Sequence, residues 1–554
     1  MICKQKKTII HFNLLFLIIF FCFAVPVQVK SDEPEKEDNM LSGMAAIKVK
    51  SFHLKGNTAF SDQKLSQITG PYENRQISIE ELEAVRIKLT RHYTDRGYIN
   101  SGAIIPDQNI EKGIITILII EGKITDTKIS GNDWVNTHYI TSRLKSAIGN
   151  KKRPFNIKTL EESLKLIKQK KIIKNINANI KPGFKQGEAA LSVAIEEARP
   201  YSFTLKYDNQ ASAGIGIYQS YASFTHDNLT GWGDSVSAEY KKTKGSGNIF
   251  FDYTLPVTRW DTSLFFNYSE SGSTVISSPF DILDIKSRTE TIGLGIKHPF
   301  YRTVAQEFIA GLKLEKKHTE SFLLDVPFSF ASHPDDFETE LSSLNFFQEY
   351  VSKKMSYVFA LKSDIKFGIN WLGATVHNGK DRAGNEYADS KDTAWLLQMQ
   401  WFKHLPFLNS KLLLKTNLQL SDDPLLSSEK FSIGGASSVR GYKENFIMAD
   451  NGLVSSLEWR KPLFILQIPG ISKTTTDGTI ELALFFDYGT SWNTGSNDPQ
   501  IKEINSLGTG LRWSVSKNTY ISIYYGHALK DIEKSNENNL QENGFHFEIS
   551  IGIL

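Results

Sequence analysis

Cysteine is nearly absent. The 554-residue chain has two, Cys3 and Cys22, both within the first 25 positions. Beyond that point disulfides, zinc–thiolate sites and cysteine nucleophiles are excluded together. Net charge is small, +3 at pH 7, so no nucleic-acid partner is expected. No apolar run reaches 18 residues, so no helical membrane span is expected either. Frames for catalysis are also missing. GGASSVRG at 434–441 lacks the spacing and the Lys-Ser or Lys-Thr of a phosphate loop, and Gly293-x-Gly295 opens no helix. The twelve histidines form no H-E-x-x-H pair. His226 and His318 sit in strand or turn context, and no G-x-S-x-G elbow frames a serine. The expectation is a protein with no catalytic residues, no metal and no cofactor.

What is present begins with a processing signal. Lys4, Lys6 and Lys7 precede the apolar run Leu14–Val25, then Pro26 and the polar stretch SDEPEKEDN. This is a basic region and a short hydrophobic core, as in a secretory leader over 1–30. A retained anchor is the rival, but the run is short for a hydrocarbon core of about 30 Å. A short N-terminal segment over 31–46 follows. An exported chain without a helical span is either soluble in the periplasm or crosses a membrane with strands. Aromatics make up 12%, high for a soluble protein and common where rings sit at a membrane interface.

From Ile47 to Pro200 strands and helices mix. Ile47–Lys55 alternates and stops at the turn Gly56-Asn57, and a short helix, Asp62–Ile68, stops at Gly70-Pro71. Ser78-Ile-Glu-Glu81 is a capping box. Leu82, Val85, Leu89 and Tyr93 then recur at helical spacing until Gly97. Strands are predicted over Tyr98–Ile105 and Gly113–Ile120. The same order repeats: a strand at Ile124–Ser130, helices at Thr137–Ala147 and Ile157–Lys170, strands at Ile173–Lys181 and Glu188–Ile195. Two modules result, 47–123 and 124–199. Lys151–Arg153 and the lysines of 165–174 read as a solvated basic face. Asn175–Lys181 reads as a free edge strand, polar on one side, with Ile176, Ala178 and Ile180 on the other. Such an edge can take an extended peptide as an added strand, which makes these three the candidate substrate-binding residues.

After Pro200 the helical period disappears. Tyr201, Phe203, Leu205 and Tyr207 alternate with polar residues, and many later segments do the same between Gly, Asn, Asp and Ser. Residues 200–554, at about 22 per strand and connection, make about 16 strands, within the range of outer-membrane barrels. The last segment, FHFEISIGI at 545–553, has Phe or Ile at every odd position and polar or small residues between. One face suits lipid and the other a lumen. Ser516-Lys517-Asn518 is a tight turn, whereas Gly489–Asn505 and Gly526–Asn543 are long, which orients the barrel, because periplasmic turns are short and external loops long. By that count 422–451 is an external loop. Leu463–Asp477 is long for the periplasmic side and counts against the assignment. Parity places Glu481, Ala483, Phe485 and Asp487 on one face of their strand and Leu482, Leu484, Phe486 and Tyr488 on the other, assigned to lipid. The same logic puts Glu458, Arg460, Arg512 and Glu548 inside.

Several of these stretches resemble one family. Tyr98–Gly122 carries Pro106-x-Gln108, Gly113 and the closing Glu121-Gly122, and resembles the first polypeptide-transport-associated (POTRA) domain of two-partner secretion transporters of the haemolysin-activator (TpsB) type. NLTGWGDSVSAEY at 228–240 resembles the family's second strand and its turn. GIKHPFYR at 295–302 resembles a strand end. Val439-Arg440-Gly441-Tyr442 resembles the loop motif, and Phe485-x-Asp487-x-Gly489 the strand motif.

The resemblance implies periplasmic POTRA domains followed by a transmembrane antiparallel β-barrel in the outer membrane. It implies a secreted exoprotein partner whose N-terminal two-partner secretion domain is recognised by the POTRA domains. Outer-membrane lipid is the surroundings, and the barrel assembly machinery is a partner during biogenesis. It also implies that loop 422–451 folds into the lumen, with Arg440, Gly441 and Tyr442 held against Phe485, Asp487 and Gly489, and that Arg440 pairs with Asp487. Glu458, Glu481 and Glu548 are alternative lumen partners. An exposed pair would contribute roughly 0–1 kcal/mol, so the expected effect is on where the loop sits. Other classes stay open: an outer-membrane assembly or insertion factor of the same superfamily, a passive porin, a membrane-embedded hydrolase. The family often has an N-terminal plug helix. The acidic, Pro34-containing segment here leaves room only for a short helix near Asn39–Ala46.

Overall fold

The computed structural model describes residues 40–41, 45–110, 112–149, 153–330, 333, 337–377, 379, 387–495, 498–530 and 539–553. The expected leader, Lys151 and Lys152 lie outside them. So does most of the segment expected to hold a short helix near Asn39–Ala46. Of its described residues, Met40 bridges to Asn109, Leu41 joins the core of the first module, and Ala46 opens a strand.

The alternating stretch at the start breaks at Lys50 into two strands. Ala46–Val49 pairs with Arg75–Ser78, a strand not expected because four residues are too few to show a period. Ser51–Lys55 runs parallel to Ile114–Ile120, which also carries Gly102–Ile104 antiparallel. The strand expected over Tyr98–Ile105 is thus three residues long. Its first half continues the turn that ends the preceding helix, with Tyr98 N donating to Tyr93 O at 3.1 Å. Helices α1 (Asp62–Thr69) and α2 (Ile79–Thr94) place Leu65, Leu82, Val85, Leu89 and Tyr93 in the core. Both hydrogen bonds of the Ser78/Glu81 capping box are made. The resemblance residues have structural work here. The Gln108 side chain both donates to and accepts from the backbone of Thr116, each at 2.8 Å. Glu121 accepts from Thr58 N, Ala59 N and Tyr93 OH at 2.7, 2.8 and 2.9 Å.

The second module repeats the plan. Glu188–Glu197 lies between Lys123–Ser130, parallel to it, and Ile173–Pro182, antiparallel and at the sheet edge. Lys123, expected in the first module, pairs with Glu188 here. Helices α3 (Thr137–Leu144) and α4 (Ile157–Lys168) are shorter than expected and pack Tyr139, Ile140, Leu160, Leu164 and Ile167 inward.

Sixteen antiparallel strands, from Tyr201–Asp208 to Phe545–Gly552, close into a barrel, with the two-residue piece Val326–Pro327 added on one edge. The last strand pairs with the first. Asn209 extends that ladder with its side chain, donating to Phe545 O at 2.9 Å and accepting from Phe547 N at 2.8 Å. Alternation is as expected. On the strand Thr479–Trp492 the odd positions 481–491 are buried, while Leu484 and Phe486 are exposed to the outside. Among the described residues no helix is long and apolar enough to cross a membrane.

The second module docks on three consecutive periplasmic turns of the barrel. Asn228 Nδ2 donates to Trp134 O at 2.8 Å and Asn136 N to Gly231 O at 2.9 Å. Gln169 Nε2 donates to Val304 O at 2.8 Å. At the centre the Asp261 carboxylate faces three cations: Arg143, Arg302, and Lys170 at 2.8 Å. The basic stretch of 165–174 is therefore not a uniformly solvated face. Lys170 and Lys171 reach across to Asp261 and Asp227. Burial alone would raise the Asp261 carboxyl, but Lys170 and Arg143 hold it down to about 2. A depressed carboxylate keeps its stabilising charge above its unfolded value and loses it as pH falls through about 2, so mild acid leaves the dock intact. Asp261→Asn removes the anion and leaves three cations together, a loss on the order of 3 kcal/mol. Spin-label distances between Lys145 and the barrel should broaden in this variant. An unchanged distribution contradicts the role of the carboxylate.

Candidate functional site: the loop inside the barrel

The loop between the strands Ser410–Ser421 and Asn451–Ile465 is not an extended excursion into solvent. Phe431–Ile433 and Ile447–Ala449 pair as a short hairpin. Ile433, Val439, Tyr442 and Ile447 form a small core with Val454 and Ile504 of the barrel wall. The glycines and serines that look like disorder in the sequence allow close approach. Gly434 N donates to Ser438 Oγ at 2.9 Å, which tightens the apex. Gly441 has φ +95°, and a Cβ there would lie 2.8 Å from Gly526 O. A Cβ at Gly489 would lie 2.6 Å from Ile433 Cγ2 and 2.9 Å from Val439 Cγ2. Each small residue of the two motifs marks a place where loop backbone or side chain meets wall.

Arg440 lies at the centre. Its Nε and Nη2 donate to the two Asp487 oxygens, both at 2.8 Å, and its backbone N donates to Oδ2 at 3.1 Å. Nη1 donates to Glu458 Oε2 at 2.5 Å and Nη2 to Ser456 Oγ at 3.1 Å. The guanidinium stacks 3.5 Å from the Phe485 ring centroid and 4.9 Å from that of Tyr524. The planar fork makes this bidentate contact and the stacking compatible, which an ammonium could not do. Tyr442 is fully buried and donates to Asn505 O at 2.9 Å.

Of the alternative carboxylates, Glu458 shares Arg440 with Asp487. Glu481 pairs instead with Lys411 at 2.7 Å, and Glu548 meets Tyr520. Glu458 is itself held by Arg460 at 2.5 Å and Tyr524 OH at 3.0 Å. Ser456, Tyr524 and His546, whose Nε2 accepts from Gly441 N at 3.4 Å, were not anticipated. Parity alone puts Ser456, Tyr524 and His546 on the inner faces; that they meet the loop depends on register, with Tyr524 opposite His546. Ile176, Ala178 and Ile180 turn toward the second module's own core and are not offered to a ligand. What their strand presents is its edge backbone and the outward Asn177 and Asn179.

The pair is buried: Asp487 is 0% and Arg440 6% exposed. The small energy expected of an exposed pair therefore does not apply. Net stabilisation by a buried pair can be slight, but removing one partner strands the other and costs about 3–5 kcal/mol.

Small α/β modules followed by a closed sixteen-stranded barrel, with a loop folded into its lumen, define a POTRA-barrel protein of the outer membrane once the family matches are added. The family described as haemolysin secretion/activation protein ShlB/FhaC/HecB matches residues 187–513, and the ShlB-type POTRA domain matches 47–122. The chain belongs to this family, and it is an outer-membrane two-partner secretion transporter with POTRA domains in the periplasm. The heme/hemopexin transporter protein HuxB of Haemophilus influenzae (strain 86-028NP) is 23% identical over 83% of this chain and 79% of its own. The outer membrane transporter CdiB of Escherichia coli O6:K15:H31 is 23% identical over 76% and 70%. The solved structure of CdiB from Escherichia coli superposes with a TM-score of 0.67 at 19% identity, over 94% of this chain and 93% of that one. BamA from Haemophilus ducreyi, lacking POTRA domains 1–3, shares the fold at a TM-score of 0.55 and 14% identity, over 92% and 99%. The family match favours secretion over the assembly-factor alternative.

Arg440→Ala and Asp487→Ala are each expected to leave the barrel inserted but impair exoprotein release. The double variant should be milder than the sum of the two, since neither charge is then stranded. Normal release by both single variants contradicts the assignment, as does strict additivity in urea unfolding.

Proposed function

We propose that the second POTRA module captures the exoprotein as an added strand and that the lumen loop, fixed at rest by Arg440 on Asp487, yields to let the chain through. The observation that carries this reading is a folded loop lying inside the barrel on a bidentate, buried contact. Units at 47–122, 123–199 and 200–554, with the in-folded loop over 422–451, are the working division. The outward Leu205, Tyr207, Leu484 and Phe486 are exposed and contact outer-membrane lipid, and the barrel is placed there by the barrel assembly machinery. Passage needs no reaction catalysed by this chain; folding of the exoprotein outside helps drive it.

The edge strand Ile173–Pro182 is the capture surface because one side of its backbone is unpaired in the module. Recognition through backbone hydrogen bonds tolerates many sequences and fails where a donor is removed. Gly183 N donates to Glu188 O, so the odd positions of this strand bond within the sheet and the even positions face the free side. Ala178→Pro or Ile180→Pro should therefore weaken binding of the exoprotein's secretion domain about tenfold, measured by titration against the purified transporter. Asn177→Ala and Asn179→Ala should not. Unchanged affinity in both proline variants contradicts this edge.

A further inference from the structure

Arg440 is not the loop's only charged hold on the wall. Eleven residues earlier, Glu429 reaches a different part of the lumen. One of its oxygens meets Lys317 on the strand Gln306–Leu323, and the other accepts from Lys366 Nζ at 2.9 Å on the strand Tyr357–Gly368. Arg440 is bound to the strands Asn451–Ile465 and Thr479–Trp492. In the closed order these lie three to six strands of sixteen away from the two lysine strands, about a quarter of the circumference on average. The loop thus spans a sector of the pore and is held at both ends.

The two ends differ in what they leave behind when broken. At the Arg440 end, Asp487 is fully buried and takes three hydrogen bonds from that one residue. Pulling the arginine away strands a carboxylate with no water, which is costly. At the Glu429 end, Lys366 is shared: it also donates to Asp392 Oδ2 at 2.9 Å. Losing Glu429 leaves Lys366 paired, and only Lys317 must find water. The Glu429 and Lys317 side chains are 18% and 17% exposed, against 8% for the Arg440 side chain, so water already reaches that end. The Glu429 carbonyl accepts from Gln419 Nε2 of the wall at 3.0 Å.

We propose that Glu429 is the latch at which the lumen loop is released, and that Arg440 remains as its pivot. Opening then begins by separating Glu429 from Lys317, with Asp392 keeping Lys366 neutralised. This assigns Glu429 and Lys317 as positioning residues for the pore. It rests on the reading of the loop as the occupant whose displacement opens the barrel, and its test needs no exoprotein.

The full-length transporter, reconstituted in planar bilayers, reports pore opening directly. Glu429→Gln should raise open-state occupancy about tenfold over wild type, with unchanged heat-modifiable mobility in gels. Lys317→Gln, which removes the cation from which the latch separates, should raise occupancy as well. Conductance of either variant equal to wild type overturns the latch. Should Arg440→Ala open the pore while Glu429→Gln does not, the lumen-loop reading stands and the latch alone falls. If neither variant changes conductance, both fall.

Discussion

A carboxylate sealed from water in the barrel wall needs a cation, and the cation it has comes from a loop. Asp487 takes three hydrogen bonds from Arg440, and this sets the position of everything between the strand ends at Ser421 and Asn451. Val439 seats against Gly489, Gly441 passes under Gly526, and Tyr442 closes over Asn505 because the arginine between them has one place to go. Phe485 is part of the same arrangement: its ring centroid lies 3.5 Å from the guanidinium carbon. The pair need not stabilise the barrel much in net terms. It makes one loop position far better than any other, because the alternatives leave a buried charge unpaired.

The periplasmic side shows the same logic with the same signs, carboxylate on the barrel and cations on the piece that docks. One turn carboxylate, Asp261, gathers Arg143 and Lys170 from the second module and Arg302 from the barrel. That ties the module to the barrel turns. In the proposed mechanism the Ile173–Pro182 edge takes the incoming chain, and the loop moves first at its Glu429 end, where Lys366 is shared with Asp392.

Much of this was legible in the residues. A count of about sixteen strands follows from length, and their faces follow from alternation, since a one-residue slip would turn every lumen side chain to lipid. The pairing of Arg440 with Asp487 is what the family resemblance of the two motifs implies, and parity places the carboxylate on the inner face. Other features were out of reach for physical reasons. Arg75–Ser78 is too short to show a period. Lys170 and Lys171 look like any exposed basic run until the barrel turns bring Asp261 and Asp227 to them. Ile176, Ala178 and Ile180 alternate as either face of an edge strand would, and only the packing of α4 decides that they turn inward. Choosing Glu458 over Glu481 and Glu548 required knowing strand register, because all three share the inner face.

The central claim is that the loop rests in the lumen and must move for the exoprotein to pass. Cysteines at Glu429 and Lys317, joined by a short reducible bis-thiol crosslinker, test it most directly, because the native side chains already meet there. The account predicts that the bridge forms in the inserted barrel, that it blocks exoprotein release, and that reductant restores it. Undiminished release with the bridge intact would contradict it.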